Sequence, residues 1–186
     1  MAAERLAQHY RGEPWNIVGS LTLDIAGMGK ELVLDIDAHD GQAHDAAANL
    51  RFAAQIWRVC NGLGVTALVY GSNGKGGVHV RAGFARLMPG WKLRRFGFWL
   101  VRGWKDAGVL TAPEVFPKQD RPGSEGCGNY VRLPGKHHKR DYWPEVFDGQ
   151  RGLTGSAAVD HVIRVLSNPN DPARIPGPKG SRATGW

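Results

Sequence analysis

Cysteine is nearly missing from this sequence, which has only Cys60 and Cys127. Two thiols without ligand spacing exclude a disulfide framework and a cysteine-built zinc site, and they fit a reducing compartment. Long apolar runs are missing too, and no stretch reaches the length needed to cross a bilayer. The opening M-A-A-E-R-L lacks the charged-then-apolar layout of a secretory signal, so the expectation is a soluble, cytoplasmic protein with no membrane partner. No segment repeats at a solenoid period. Acidic charge is scarce: 17 Asp and Glu stand against 24 Lys and Arg, a formal charge of +7. That balance favours polyanionic partners such as nucleic acid or nucleotides. The 186 residues suffice for one well-cored domain with appendages.

The few acids are not scattered evenly. Glu31 to Asp40 reads E-L-V-L-D-I-D-A-H-D, in which Leu32, Val33, Leu34 and Ile36 form a β-prone apolar run interrupted by Asp35 and Asp37. Residues two apart on a strand face the same way, so these carboxylates stand side by side and repel unless a cation lies between them. Hard oxygen ligands on a rigid strand suit Mg²⁺ or Mn²⁺. An edge strand with a solvated acidic face would read the same.

Around this stretch the chain alternates helices and strands without a regular parallel crossover rhythm. A short helix is expected over Ala2 to Tyr10, ended by Gly12-Glu13-Pro14. The alternating Ser20 to Ile25, the turn at Gly27-Met28-Gly29 and the Asp35 strand read as a β-hairpin. Helical spacing of Leu50, Ala53, Ala54, Trp57 and Cys60 predicts a helix over His44 to Leu63. Strands follow at Val65 to Tyr70 and Val78 to Phe84, paired as a hairpin. An amphipathic helix with a basic face is expected over Trp91 to Ala107, then short strands at Pro113 to Phe116 and Tyr130 to Leu133, then a helix over Gly155 to Leu166. From Ser167 the chain is rich in Pro, Gly, Asn and Ser and reads as a wrapped or mobile tail (167–186) rather than packed core, with residues 1–166 as the domain. The class is α/β or α+β, a sheet with helices packed on it.

Three further stretches can carry chemistry. Gly71 to Val80, G-S-N-G-K-G-G-V-H-V, is a small-residue loop running into a strand that bears His79. Its glycines let backbone N–H groups turn toward an anion, with Ser72, Lys75 and His79 as added donors. It is not a Walker A sequence, and a glycine hairpin turn with an exposed lysine is an equal reading. Pro113 to Gln119 reads P-E-V-F-P-K-Q, where Glu114 beside apolar Val115 and Phe116 needs a cation or a donor. It is either a third metal ligand or the partner of a nearby arginine. Gly128 to Asp141 is dense in donors: Arg132, Lys136, His137, His138, Lys139 and Arg140. Adjacent histidines diverge on extended backbone, which makes a poor chelate and a better phosphate-facing patch.

Together, D-I-D, G-S-N-G-K-G-G-V-H-V and P-E-V-F-P-K-Q with the following G-N-Y-V-R-L-P-G resemble, in order and rough spacing, the three motifs of the archaeo-eukaryotic primase superfamily. They are similar in particular to the primase-polymerase domains of phage, plasmid and bacterial mobile-element proteins, over roughly Leu32 to Asp148. The resemblance implies an RRM-like antiparallel sheet with flanking helices and an N-terminal αβ module. It implies a metal-dependent nucleotidyltransferase, a primase or DNA polymerase in mobile-element replication or DNA repair, that uses nucleoside triphosphates on a single-stranded DNA template. Carried over by position, Asp35, Asp37 and an acid of the third motif hold Mg²⁺ or Mn²⁺; many family members have Asp as that third acid, where this sequence offers Glu114, with Asp120 as fallback. Ser72, Lys75, Gly76 and His79 then meet the nucleotide, with Lys118 and Arg132 as further contacts. Arg94, Arg95, Lys136, His137, His138 and Lys139 are expected on nucleic acid. A helicase or accessory domain in cis or in trans would complete the set. Two rivals remain: a catalytically silent single-strand-binding module on the same fold, and, ranked last, a nicking enzyme that would need a His-x-His pair.

Overall fold

The computed structural model describes residues 2–13, 15–37, 45–123, 126 and 128–176. Ala38, His39 and Asp40 of the acidic stretch, His44, Cys127 and residues 177–186 of the expected tail lie outside the described residues.

Strand alternation decides the architecture. In β2 (Met28–Ile36), Leu32, Leu34 and Ile36 are buried on one side while Glu31, Val33 and Asp35 take the other. In β4 (Val78–Pro89), Val78, Val80, Ala82 and Phe84 join the same apolar side, leaving His79 and Arg81 opposite. With β3 (Leu68–Gly71), β5 (Glu114–Phe116), β7 (Val146–Phe147) and β8 (Gly152–Leu153), these strands form a six-stranded sheet in the order β5-β2-β4-β3-β7-β8. Every pairing is antiparallel.

Two helices cover the apolar side. α2 (Ala46–Gly62) starts where the Asp45 carboxylate accepts from the N–H groups of Ala47 and Ala48, and it buries Phe52, Ala53, Ile56 and Cys60. α3 (Gly90–Val101) buries Leu93, Phe96, Leu100 and Val101. It approaches the sheet at Gly97, where an added Cβ would lie 2.9 Å from Leu32 Cδ1 and collide with Val115. The other side is covered in patches. A small two-stranded sheet of β1 (Gly19–Leu21) and β6 (Tyr130–Arg132) sits over the Glu31–Arg81 region, tied on by Arg81 Nη2 donating to the Arg132 carbonyl at 2.9 Å. α4 (Gly155–Leu166) packs Ala158 and Val162 on Leu68, Tyr70 and Val146. α1 (Ala2–Tyr10) is held through buried His9, whose Nδ1 accepts from the Val18 N–H at 3.1 Å.

Several expectations are met and some are corrected. The helices and the β3–β4 hairpin lie where expected, although α3 stops at Val101, short of Ala107, and β4 runs on to Pro89. The hairpin between Ser20–Ile25 and the Asp35 strand does not form: β1 pairs with β6, more than a hundred residues away, and Asp24 to Met28 make a tight turn closed on the Asp24 side chain. Nor is the segment after Ser167 free of the core. Ile175 joins the main apolar cluster, and the buried Asn170 side chain bonds Thr66 N–H at 2.6 Å and the carbonyls of Thr66 and Gly83, each at 2.8 Å. Polar composition misled here because one asparagine can satisfy a strand edge as a backbone would. Among the described residues no helix is long and apolar enough to cross a membrane.

Candidate active site

The register sets four chemically active side chains in one row. Asp35 on β2 is directly opposite Glu114 on β5 and His79 on β4, and His79 is opposite Tyr70 on β3. Cross-strand partners share a face, so Glu114, Asp35, His79 and Tyr70 run side by side on the surface away from α2 and α3. His79 is braced at both ring nitrogens: Nδ1 lies 3.2 Å from the Tyr70 hydroxyl and Nε2 lies 3.3 Å from Asp35 Oδ1. Tyr70 is fully buried. Burial pushes its phenol above the ordinary value, while the Arg81 guanidinium beside it pulls the other way.

Asp37 follows on the same parity and meets the glycine loop. It accepts a hydrogen bond from Asn73 Nδ2, and Asn73 Oδ1 in turn accepts from the N–H groups of Lys75 at 2.7 Å and Gly77 at 3.2 Å. Those two amides therefore face the Asn73 carboxamide, not an open anion cradle as the sequence suggested. Gly77 must be glycine for space, since an added Cβ would sit 2.7 Å from Asp37 Cγ and collide with Ser72 Oγ. Gly76 has a φ of +92°, and its carbonyl accepts from buried Asn49 of α2 at 3.1 Å. Lys75 is exposed at the loop tip. Ser72 is buried with its hydroxyl unpartnered among the described residues, while the buried Asp35 Oδ1 faces His79 Nε2 at 3.3 Å without a well-formed hydrogen bond.

Glu114 takes a 2.7 Å ion pair from Lys118, whose ammonium also lies 4.9 Å from the Phe116 ring centre. The fallback acid stands elsewhere: Asp120 pairs with Arg94 at 3.4 Å on the α3 side. Arg132 is a bracket. Its Nη1 donates to the carbonyls of Gly135 and Lys136, each at 3.2 Å, and its Nη2 donates to that of Ser72 at 3.0 Å. Arg140 does the same for the loop, donating to the Asn73 carbonyl at 2.6 Å. The basic segment Lys136 to Lys139 is thereby held beside the glycine loop. Its two histidines do not diverge as expected: the rings of His137 and His138 stack at 5.0 Å and 15° because the chain turns there. Burial, with Arg132 nearby, brings His137 down to about 4 and lowers His138, so both are neutral near pH 7. Arg94 and Arg95 are not part of this neighbourhood, since α3 lies behind the sheet.

A metal fits the chemistry of this donor set. Asp35 offers a buried carboxylate oxygen facing the His79 ring, and Asp37 and Glu114 flank it, all hard oxygen ligands. Among the described residues no three such side chains are gathered tightly enough to enclose an ion. A Mg²⁺ ion held by carboxylates of this row would complete its shell with water and substrate phosphate.

A family model described as the TOTE conflict system, archaeo-eukaryotic primase domain matches residues 1–153. The chain belongs to this primase family. A search of curated proteins finds no match. The matched span takes in the whole row, the glycine loop and the basic segment of this primase domain, while α4 lies beyond it.

Sequence reasoning missed Tyr70, Arg81, Glu31 and Asn73. Arg81 is 1% exposed and pairs with Glu31 at 2.7 Å, with Ser20 bonded to both. Parity held the signal: Glu31 and Arg81 sit four residues before Asp35 and two after His79, on the same face. For Tyr70 and Asn73 no comparable signal existed.

Proposed function

We propose that this primase-family domain is a metal-dependent nucleotidyltransferase that joins nucleoside triphosphates on a single-stranded DNA template. The supporting observation is the register that sets Asp35 between Glu114 and His79, with Asp37 tied to the glycine loop. A divalent cation held by Asp35, Asp37 and Glu114 would supply Lewis-acid stabilisation of the charge that develops at the attacked α-phosphate. The residues of the chain do the positioning. With the Tyr70 hydroxyl bonded to Nδ1, the imidazole of His79 can donate from Nε2 to a phosphate oxygen in the place where it now meets Asp35. Ser72 is poised similarly: a buried hydroxyl left unpaired costs about 1–3 kcal/mol, which a phosphate acceptor recovers. Lys75 and Lys118 are mobile-stemmed cations at either side of the row, suited to the flanking phosphates of the triphosphate. Rigid strands keep these groups in line, which is where positioning lowers the barrier.

One observation favours a silent binding module instead. Lys118 pairs with Glu114 at 2.7 Å, as a retired catalytic carboxylate would be paired. Incorporation of labelled nucleotide decides between the two, with primer-template and with unprimed single strand, each nucleotide type, and Mg²⁺ or Mn²⁺. Polymerisation that disappears in the Asp35→Asn, Asp37→Asn double variant supports the reading. Equal incorporation by that variant overturns it, and single-strand binding without incorporation by the wild type supports the silent module.

A further inference from the structure

The helical layer behind the sheet has an unusual charge pattern. Neither α2 nor α3 contains a single Asp or Glu, yet α2 carries Arg51 and Arg58 and α3 carries Lys92, Arg94 and Arg95. All but two of these cations are exposed, Lys92 and Arg94 being partly covered. Arg102 follows at the end of α3, its guanidinium 4.4 Å from the Trp99 ring centre, while Arg94 lies 5.0 Å from that of Phe98. Phe98 and Trp99 are 49% and 36% exposed, which is high for such rings on a core-packed helix. Between the two helices runs an open groove floored by Phe52, Ile56 and Leu100, with Val59 and Trp99 on its walls and Arg102 at its rim.

From this we propose that the α2–α3 face is a second binding surface for single-stranded nucleic acid, separate from the catalytic row. The ligand is a polyanion, because Arg51, Arg58, Lys92 and Arg95 stand on two adjacent helices without one acid on either, Arg94 alone of the five being paired, with Asp120, among the described residues, and such a surface attracts a phosphate chain. It must also offer flat apolar faces, because rings capped by guanidinium groups form the stacking platforms on which unpaired bases rest. A duplex hides its base faces and meets only half of this chemistry. The groove takes a base against Trp99, while Arg95, Arg102 and Arg58 meet the phosphates on either side. The surface lies across the sheet from Asp35 and Glu114, so the segment held there is not the segment being copied at the same moment. It tethers the domain to its template.

The proposal does not depend on catalysis, so its test is a binding measurement on the whole chain. Anisotropy of labelled oligodeoxythymidylate is followed against salt for wild type, for Arg95→Glu with Arg102→Glu, and for Trp99→Ala. The charge-reversal pair is expected to weaken binding roughly tenfold or more and to flatten the salt dependence by about 0.7 per lost contact. Trp99→Ala should weaken binding with the salt slope unchanged. Both arginines are exposed, so circular dichroism should report an unchanged fold. Wild-type affinity in the charge-reversal pair overturns the proposal. So does equal loss for duplex and single strand, and so does self-association of the wild type that the same pair abolishes, which would make the face a protein interface.

Discussion

Glu114 and Asp120 are six residues apart in the chain, yet the fold sends them to opposite sides of the sheet. Glu114 faces Asp35 across a strand pair, whereas Asp120 is spent on Arg94 in an exposed pair worth little. Glu114→Gln should therefore lower nucleotide incorporation roughly 100-fold or more, and Asp120→Asn should leave most of it, as primer extension with Mn²⁺ will report. Equal effects of the two substitutions would refute the assignment. Arg81 offers a stability prediction at the same scale. Its guanidinium bonds Glu31, Ser20 and the Arg132 carbonyl while almost wholly buried, so Arg81→Met strands a largely covered carboxylate and should destabilise by about 3 kcal/mol or more in urea unfolding. Adding Glu31→Gln should restore part of that loss. A pair that merely adds its two single effects would show that Glu31 and Arg81 are not coupled.

The glycine loop between β3 and β4 is the element on which the row depends. Asn73 closes it, Asn49 anchors it from α2, and Arg132 and Arg140 clamp it from the basic segment. Gly77→Ala should leave far-ultraviolet dichroism unchanged and yet reduce incorporation strongly, because the new methyl displaces Asp37 or Ser72. Full activity in that variant would remove the loop from the mechanism. Elements of this kind mark how far the sequence was legible. The acids, the loop and His79 could be read because spacing and alternation are local properties, and α2, β4 and α4 because their apolar periods are long enough to detect. The partner of β1 was not legible, because pairing across more than a hundred residues leaves no local trace. Asn73 was hidden for a similar reason: its role depends on which loop atoms it meets. The arginines of α3 were read correctly as a basic face, but their side of the sheet follows only from Gly97 and the apolar parity of β2.

At the scale of the whole molecule, burial lowers four histidines in the same direction. His9, His137, His138 and His161 all lie below the ordinary value, in each case chiefly through burial. The unfolded chain thus binds protons more readily than the folded one, so this contribution to stability is complete above the ordinary value near 6.5 and is lost as pH falls toward about 4, where folded His137 protonates. The melting temperature should drop between pH 7 and pH 5, and His9→Gln should shallow that drop if the variant folds. A flat profile over that range would show that these rings protonate alike in both states.

The family match ends at residue 153, and α4 begins two residues later. A fragment trimmed at that limit would keep Asp35, Asp37, His79 and Glu114 while stripping the underside of Tyr70 and Val146, where Ala158 and Val162 now rest, and removing Ile175 from the core. Tyr70 would then face water on one side, and the imidazole it braces would lose a fixed orientation. Such a fragment should melt earlier than the whole chain and bind nucleotide poorly despite carrying all three motifs, because what supports the row lies partly beyond residue 153.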